Sequence, residues 1–378
     1  MKLFVFIVIC LFPFEGWSQS VRDTLPGELI SIPVVIHLIY NTTGQNISNA
    51  QVLSQLEILN NDYRKKNADR ANTPSAFAAL AADVRIAFCL ARVDPKGRPT
   101  SGIIRKHTDE EAWVADDAVK FSSSGGDDAW DPKKYLNIWV CNLFGRNLGY
   151  SSLPATAADK DGVVIQYDVF GAVGALKASF DRGRTLTHEI GHWLGLKHLW
   201  GDSDCGDDGI ADTPPQKSYH NGCPTFPQLS TCSTNSNGDM YMNYMDFTDD
   251  ACMNMFTRGQ AGKMRSMFAL GGFRNSFLFS NVCDSVDAVD APLPDEVAPV
   301  LISVYPNPLV NTVTIESNSS SYLAGKSLQI FNSRSQLVKS FSLTSGKNRF
   351  NLADLSAGIY FMRIGNGKGM EIIKIVKL

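Results

Sequence analysis

The stretch HEIGHWLGLKH at positions 188–198 constrains this chain more than any other. It gathers three of the six histidines, a glutamate and two glycines into eleven residues. On a helix, residues four apart share a face, so His188 and His192 can both point at one metal ion, with Glu189 one step round. Gly195 tolerates the positive φ of a sharp helix stop, and the turned chain can return His198 to the same ion. Three neutral imidazoles leave a fourth position for water, the open tetrahedral arrangement of catalytic zinc. Zinc lowers the pKa of its water to about 7 and polarises a carbonyl. Glu189 is then placed to take the proton and pass it to a leaving amine. The reaction served is amide-bond hydrolysis. A single histidine is more often a satisfied core or surface residue, which is the reading for His37, His107 and His220.

At 378 residues the chain suggests two domains. A hydrophobic content of 44% with 19% charged residues supports a sizeable core. The net charge of −3, without a basic stripe, excludes nucleic acid as a partner. Residues 1–18 read as a signal peptide: Lys2, an apolar run from Leu3 to Phe12, then small Gly16 and Ser18 before Gln19. The run falls well short of the roughly 20 residues a membrane span needs, and no other stretch reaches that length. A short segment, 19–29, follows. Removing Cys10 with the signal leaves seven of the eight cysteines, of which Cys205, Cys223, Cys232 and Cys252 crowd together. An oxidising compartment favours disulfides there over a metal cluster. The odd total leaves at least one thiol free or paired with another chain.

SIPVVIHLIY (31–40), VRIAFCLARV (84–93), YLNIWVCNL (135–143) and GVVIQYDVF (162–170) read as strands. Val52, Leu53, Leu56, Leu59 and Tyr63 stand at helical spacing over 49–65, and further helices are expected at 184–195 and about 257–270. Strands interleaved with helices indicate an α/β layer. From Gly201 to Cys252 apolar periodicity vanishes, and so long an irregular segment usually signals function. Residues 284–300, acidic and proline-bearing, read as a linker. Beyond it LISVYP, TVTIES, SLQIFN, QLVKSFSL, RFNLA, IYFMRI and MEIIKIVKL indicate a small antiparallel β-sandwich.

HExxHxxGxxH is the metzincin signature, and metzincins carry a methionine turn beneath the zinc. MNYMDFTDDAC (242–252) supplies one, with Met245 as the turn methionine. With IPVVIHLIY, LNIWVCNL, GVVI, HEIGHWLGLKHLW and DCGDDGIADTP, the chain over 30–283 resembles the pappalysin (cytophagalysin) family. The resemblance implies a metzincin-type α/β catalytic domain, secreted zinc endopeptidase activity on proteins or peptides, and the crossing disulfides Cys205–Cys232 and Cys223–Cys252. It leaves Cys89, Cys141 and Cys283 unassigned. It also implies calcium in the irregular segment, for which Asp202, Asp204, Asp207, Asp208 and Asp212 offer hard oxygen ligands. The family's tyrosine two residues past the turn methionine is Phe247 here, which has no hydroxyl. The family's sizeable pro-segment has only 19–29, with Asp23, in its place.

VYPNPLVNTVTIES, LSAGIYFMRI and a final KIVKL resemble the C-terminal sorting domain of type IX secretion over 301–378. That resemblance implies the type IX machinery as a partner, and release or attachment at the cell surface. The pappalysin resemblance also implies that the chain just past the methionine turn lines the pocket for the residue after the scissile bond, where Asp249 and Asp250 would favour arginine and then lysine. The same aspartates could instead face solvent, cap a helix or bind calcium. Two rival functions stand beside the protease: a non-catalytic zinc-containing surface protein, and a zinc amidase on peptidoglycan or small substrates.

Overall fold

The eleven β-branched and apolar residues Ile30–Tyr40 form the long strand β1 on which one sheet is built. The computed structural model describes residues 28–233, 236–283, 302–317, 323–365 and 371–378. The expected signal peptide, nearly all of 19–29 with Asp23, and the 284–300 linker lie outside the described residues. Strands β2 (Ile86–Leu90) and β3 (Ile103–His107) pair in turn with the first and second halves of one edge of β1. On its other edge β4 (Leu136–Cys141) pairs with β1. Next come β6 (Val163–Gln166) and, at the edge, the short β5 (Gly149–Ser151). Every pairing is parallel except β5 with β6.

Helix α1 (Asn49–Tyr63) begins with Ser48 capping Gln51 N–H. It buries Val52, Leu59 and Tyr63, whereas Leu53, assigned to the same face from sequence, is exposed. A short turn, α2 (Ser75–Ala78), precedes β2. Helix α3 (Arg184–Trp193) and helix α4 (Arg258–Ser266) complete the helices of this region among the described residues. Alternate residues of the sheet enter two cores. Ile36, Leu38, Ile138, Val140, Val163 and Ile165 join the side chains of α1 and α3. Ile39, Trp139, Cys141 and Val164 pack with Trp113 and Val119 on the opposite face. Burial on both faces explains the near-continuous apolar runs, which lack the alternation of a half-exposed strand. β3 and β5 carry no such run and are not visible in the sequence.

Between α3 and α4 no helix or strand forms among the described residues. Two overlapping disulfides, Cys205–Cys232 and Cys223–Cys252, close this segment on itself. A third, Cys89–Cys283, ties β2 to the chain 194 residues on, and Cys141 is a buried free thiol. Burial pushes that thiol far up and leaves it unreactive.

Seven further strands form two antiparallel sheets: β7 (Ile302–Tyr305), β8 (Thr312–Ser317), β9 (Ser327–Asn332), β10 (Leu337–Ser342), β11 (Lys347–Asn351), β12 (Gly358–Ile364) and β13 (Glu371–Lys377). Their orders are β10-β9-β12-β13 and β11-β8-β7. Val313 and Ile315 of one sheet and Leu328, Ile330, Met362 and Ile375 of the other share one core, which defines a sandwich. No helix among the described residues is long and apolar enough to cross a membrane.

Candidate active site

The start and stop of α3 are both fixed by chemistry outside it. The buried Asp250 carboxylate accepts from the N–H groups of Arg182 (2.8 Å) and Arg184 (3.2 Å), capping the positive end of the helix. At the other end Leu196 N–H reaches Gly191 O (3.0 Å), Gly195 N–H reaches His192 O (2.8 Å), and Gly195 takes φ +86°. This is a Schellman stop, and it needs glycine at the left-handed position. The same turn presents Leu196 O to His192 Nδ1 at 2.9 Å.

All three imidazoles are oriented in this manner. His188 Nδ1 donates to Tyr244 O (2.7 Å), and His198 Nδ1 donates to the Asp202 carboxylate. Carbonyl and carboxylate oxygens only accept, so each Nδ1 carries the proton and each Nε2 is left unprotonated, its lone pair free to ligate a metal. His192 Nε2 lies 3.0 Å from both His188 Nε2 and His198 Nε2. A tetrahedral ion with bonds of about 2.0–2.1 Å sets such nitrogens about 3.3 Å apart, so the trio fits zinc in chemistry and in size. Among the described residues it is the one group of three or more His, Cys, Asp or Glu ligand atoms lying within 4.8 Å of one another. Burial and the neighbouring rings push the His188 pKa well down, and burial with His198 brings that of His192 to about 4. Both are therefore neutral, as ligation requires.

Glu189 is buried beside the trio. Burial raises its pKa to about 8, against a hydrogen bond from the Ser151 side chain. A cation among the imidazoles pulls the other way. Strand β5 roofs this carboxyl closely: a Cβ on Gly149 would lie 3.1 Å from Glu189 Cγ. Below the helix, a Cβ on Gly191 would lie 2.5 Å from Met245 Sδ, so the buried methionine fills the space that a glycine leaves. Its turn is held by Asn243 Oδ1, which accepts from Met245 N–H (3.0 Å) and Gln260 Nε2 (3.0 Å).

Asp62 of α1 joins these parts. It accepts from Thr187 Oγ1 (2.8 Å) and Tyr244 Oη (2.9 Å), and pairs with Arg184 Nε (3.0 Å). Sequence reasoning misses it, since its partners lie 122 or more positions away (184 − 62). Phe247 packs 4.8 Å from His198 and 5.5 Å from His188, ring centre to ring centre, while Trp200 stacks on His198 at 4.4 Å.

A cleft opens at His188 and Glu189, lined also by Arg146, Leu148 and Gly149 of β5 and the chain before it, by Arg184 and Thr185 at the start of α3, and by Asn221, Asp246, Phe247, Thr248 and Asp250. Of the two aspartates expected here, Asp250 lines it and Asp249 does not; the Asp249 N–H is turned to Gly222 O (3.0 Å). Among the expected calcium ligands, Asp202 is engaged by His198 instead. Asp212 accepts from Thr257 Oγ1 (2.7 Å) and Gly259 N–H (2.9 Å) at the start of α4. Asp208 takes Thr213 Oγ1 and Ile210 N–H (both 2.9 Å), and Asp207 takes Gly209 N–H (2.7 Å). These three side chains accept from nearby backbone N–H groups, from Thr213 and Thr257 hydroxyls and from the start of α4, and their carboxylates are not part of a cluster of three or more His, Cys, Asp or Glu ligand atoms among the described residues.

Residues 121–269 match the M43 peptidase family model, described as pregnancy-associated plasma protein-A, and residues 303–378 match a secretion system C-terminal sorting domain. An extracellular metalloprotease of Podospora anserina is 35% identical over 265 residues, 68% of this chain and 78% of that protein. Extracellular metalloprotease 1 of Coccidioides posadasii is 41% identical over 142 residues, 35% of this chain, which spans about half (49%) of that relative's length. Mature mirolysin of Tannerella forsythia, solved in complex with a cleaved peptide, is 52% identical with a TM-score of 0.66, over 67% of this chain and 96% of that one. The larger α/β region therefore has the metzincin catalytic fold. The chain belongs to the M43 peptidases and carries a sorting domain of the secretion-system type over residues 303–378.

Proposed function

We propose that the chain is a secreted zinc endopeptidase, with His188, His192 and His198 holding the metal, Glu189 as general base and Met245 as the turn methionine. The carrying observation is the convergence of three Nε2 atoms whose Nδ1 partners are all fixed. When bound, the ion would supply Lewis acidity toward a carbonyl and a more acidic water. Glu189, held by Ser151 under β5, accepts the proton of the attacking water and returns it to the leaving amine. The β5 edge and the 246–250 chain bound the cleft in which an extended peptide is oriented. That mirolysin was solved with a cleaved peptide supports peptides as substrates. The sorting domain supports the type IX machinery as partner and an extracellular or cell-surface location. Asp207, Asp208 and Asp212 remain the oxygen ligands we propose for calcium in the disulfide-tied segment, apart from the zinc site where the reaction runs.

We also propose a preference for arginine, then lysine, immediately after the scissile bond. Asp250 lines the cleft, and although burial lifts its pKa to about 6 it is a carboxylate at neutral pH. The Arg184 guanidinium, which also lines the cleft, is paired with Asp62 and Asp69 behind it, so it does not neutralise Asp250 alone. Cleavage-site profiling of the zinc-loaded protein on a peptide library tests both proposals. Internal cuts with basic residues after them are expected, and Asp250→Asn should erase the basic enrichment. Apolar preference at that position would remove the pocket idea, and no cleavage of any peptide would favour the amidase or non-catalytic reading.

Phe247→Tyr addresses the departure from the family. The ring stands against His188 and His198, so a hydroxyl added there can reach the oxyanion and raise kcat several-fold. An unchanged kcat, with zinc retained, would mean the oxyanion is already fully stabilised.

A further inference from the structure

A second cluster of titratable side chains lies beside the methionine turn. The buried Asp246 carboxylate accepts from four donors: Phe247 N–H (2.7 Å), His220 N–H (2.8 Å), His220 Nδ1 (2.8 Å) and Gln216 Nε2 (2.9 Å). The buried Asp239 accepts from Ser230 Oγ (2.9 Å) and Ser233 Oγ (2.8 Å), and its other oxygen is 3.3 Å from His220 Nε2. Both ring nitrogens thus face carboxylate oxygens, and the ring carries a proton toward each of them only as the imidazolium. His220 joins three irregular stretches in one knot: its own, the one ending at Asp239, and the turn. Neighbouring bonds follow the same seam, Asp249 N–H to Gly222 O (3.0 Å) and Thr248 Oγ1 to Tyr241 O (2.9 Å). Asn221, Asp246, Phe247 and Thr248, all in or beside the knot, form one wall of the cleft.

We propose that His220 is a positioning residue, a cationic clamp that holds this cleft wall in place for substrate. The inference rests on the peptidase reading for its kinetic consequence. Loss of the ring proton turns one nitrogen into an acceptor facing a carboxylate, and the longer contact, to Asp239, is the first to go. The wall then loosens while α3 keeps its independent anchors, Asp62 and Asp250. Substrate binding suffers more than turnover. The titratable groups facing the ring are Asp246 from the turn, Asp239 from the second stretch, and Tyr241, whose ring centre is 6.5 Å away and whose hydroxyl burial pushes up. Burial would lower the ring's pKa, but the two carboxylates raise it to about 9. Because this lies above the unfolded value of 6.5, the clamp's stabilisation is complete below pH 6.5 and lost as pH rises through about 9.

The test is KM and kcat for a peptide substrate against pH, on the zinc-loaded full chain. Wild type should show KM rising across about pH 9. His220→Gln should raise KM at pH 7 by about tenfold and abolish that rise, with kcat little changed. Asp239→Asn keeps the shape but removes one carboxylate, so the rise should move to lower pH. A rise that stays in place in Asp239→Asn, or a His220→Gln profile parallel to wild type, overturns the clamp. Thermal unfolding gives a reading independent of activity: from pH 6.5 to 9 wild type should lose more stability than His220→Gln, and equal losses overturn the proposal. A wild type without peptidase activity would sink the functional reading and leave this unfolding comparison to decide the clamp.

Discussion

Replacing Glu189 with glutamine should lower turnover by about 10²–10⁴-fold, the usual contribution of a general base, while zinc remains bound. Glutamine keeps the size of the side chain and an oxygen for Ser151, so the space under Gly149 stays filled. It cannot accept a proton. The imidazole trio is oriented by Tyr244 O, Leu196 O and Asp202, none of which the substitution touches. Zinc stoichiometry and the unfolding midpoint should therefore match wild type while kcat/KM falls. Near wild-type kcat would remove Glu189 from the mechanism. A fall in activity matched by loss of zinc would make its role structural.

Local features of this molecule were legible in the sequence, and distant ones were not. The four-residue spacing of His188 and His192, and a glycine where the helix must stop, have geometric meanings that any helix imposes. Strand β1 and the sandwich strands announce themselves by composition. β3, with IIRKH, has too many polar residues to read as a strand, and β5 is three residues long. Both exist because a neighbouring strand offers an edge. The crowding of four cysteines was visible, but four cysteines allow three connectivities, and the pairing came only from resemblance. Asp202 carried a readable signal, four residues past His198, although it looked like part of an acidic loop. Asp62 carried none. Its meeting with Thr187 and Tyr244 is a property of the packed fold, as is the position of His220 between two carboxylates.

The largest loss of stability is expected from Arg274→Ala. Arg274 and Asp161 form a two-pronged pair, with Nη2 donating to Oδ1 at 2.9 Å and Nη1 donating to Oδ2, and the side chains are only 5% and 7% exposed. The guanidinium carbon sits over Trp193, 3.8 Å from the ring centre, and Trp193 Nε1 donates to the same carboxylate at 2.9 Å. Ser152 Oγ adds a fourth bond at 2.8 Å, from the residue following β5. The knot therefore grips the last residue of α3, next to His192, and binds it to the edge strand that roofs Glu189. Removing the arginine leaves a buried carboxylate with only neutral donors and uncovers an indole face. Breaking such a pair from one side costs about 3–5 kcal/mol. Arg274→Lys should recover only part of this, because an ammonium cannot meet both oxygens in one plane. Asp161→Asn in the Arg274→Ala background should cost far less than the sum of the single changes, since the uncompensated charge is gone. Denaturant unfolding of the four proteins, each saturated with zinc so that metal linkage is held fixed, gives the cycle. A loss under about 1 kcal/mol for Arg274→Ala, in the range of an exposed ion pair, would mean that water reaches Asp161 and that the end of α3 is held by apolar packing alone.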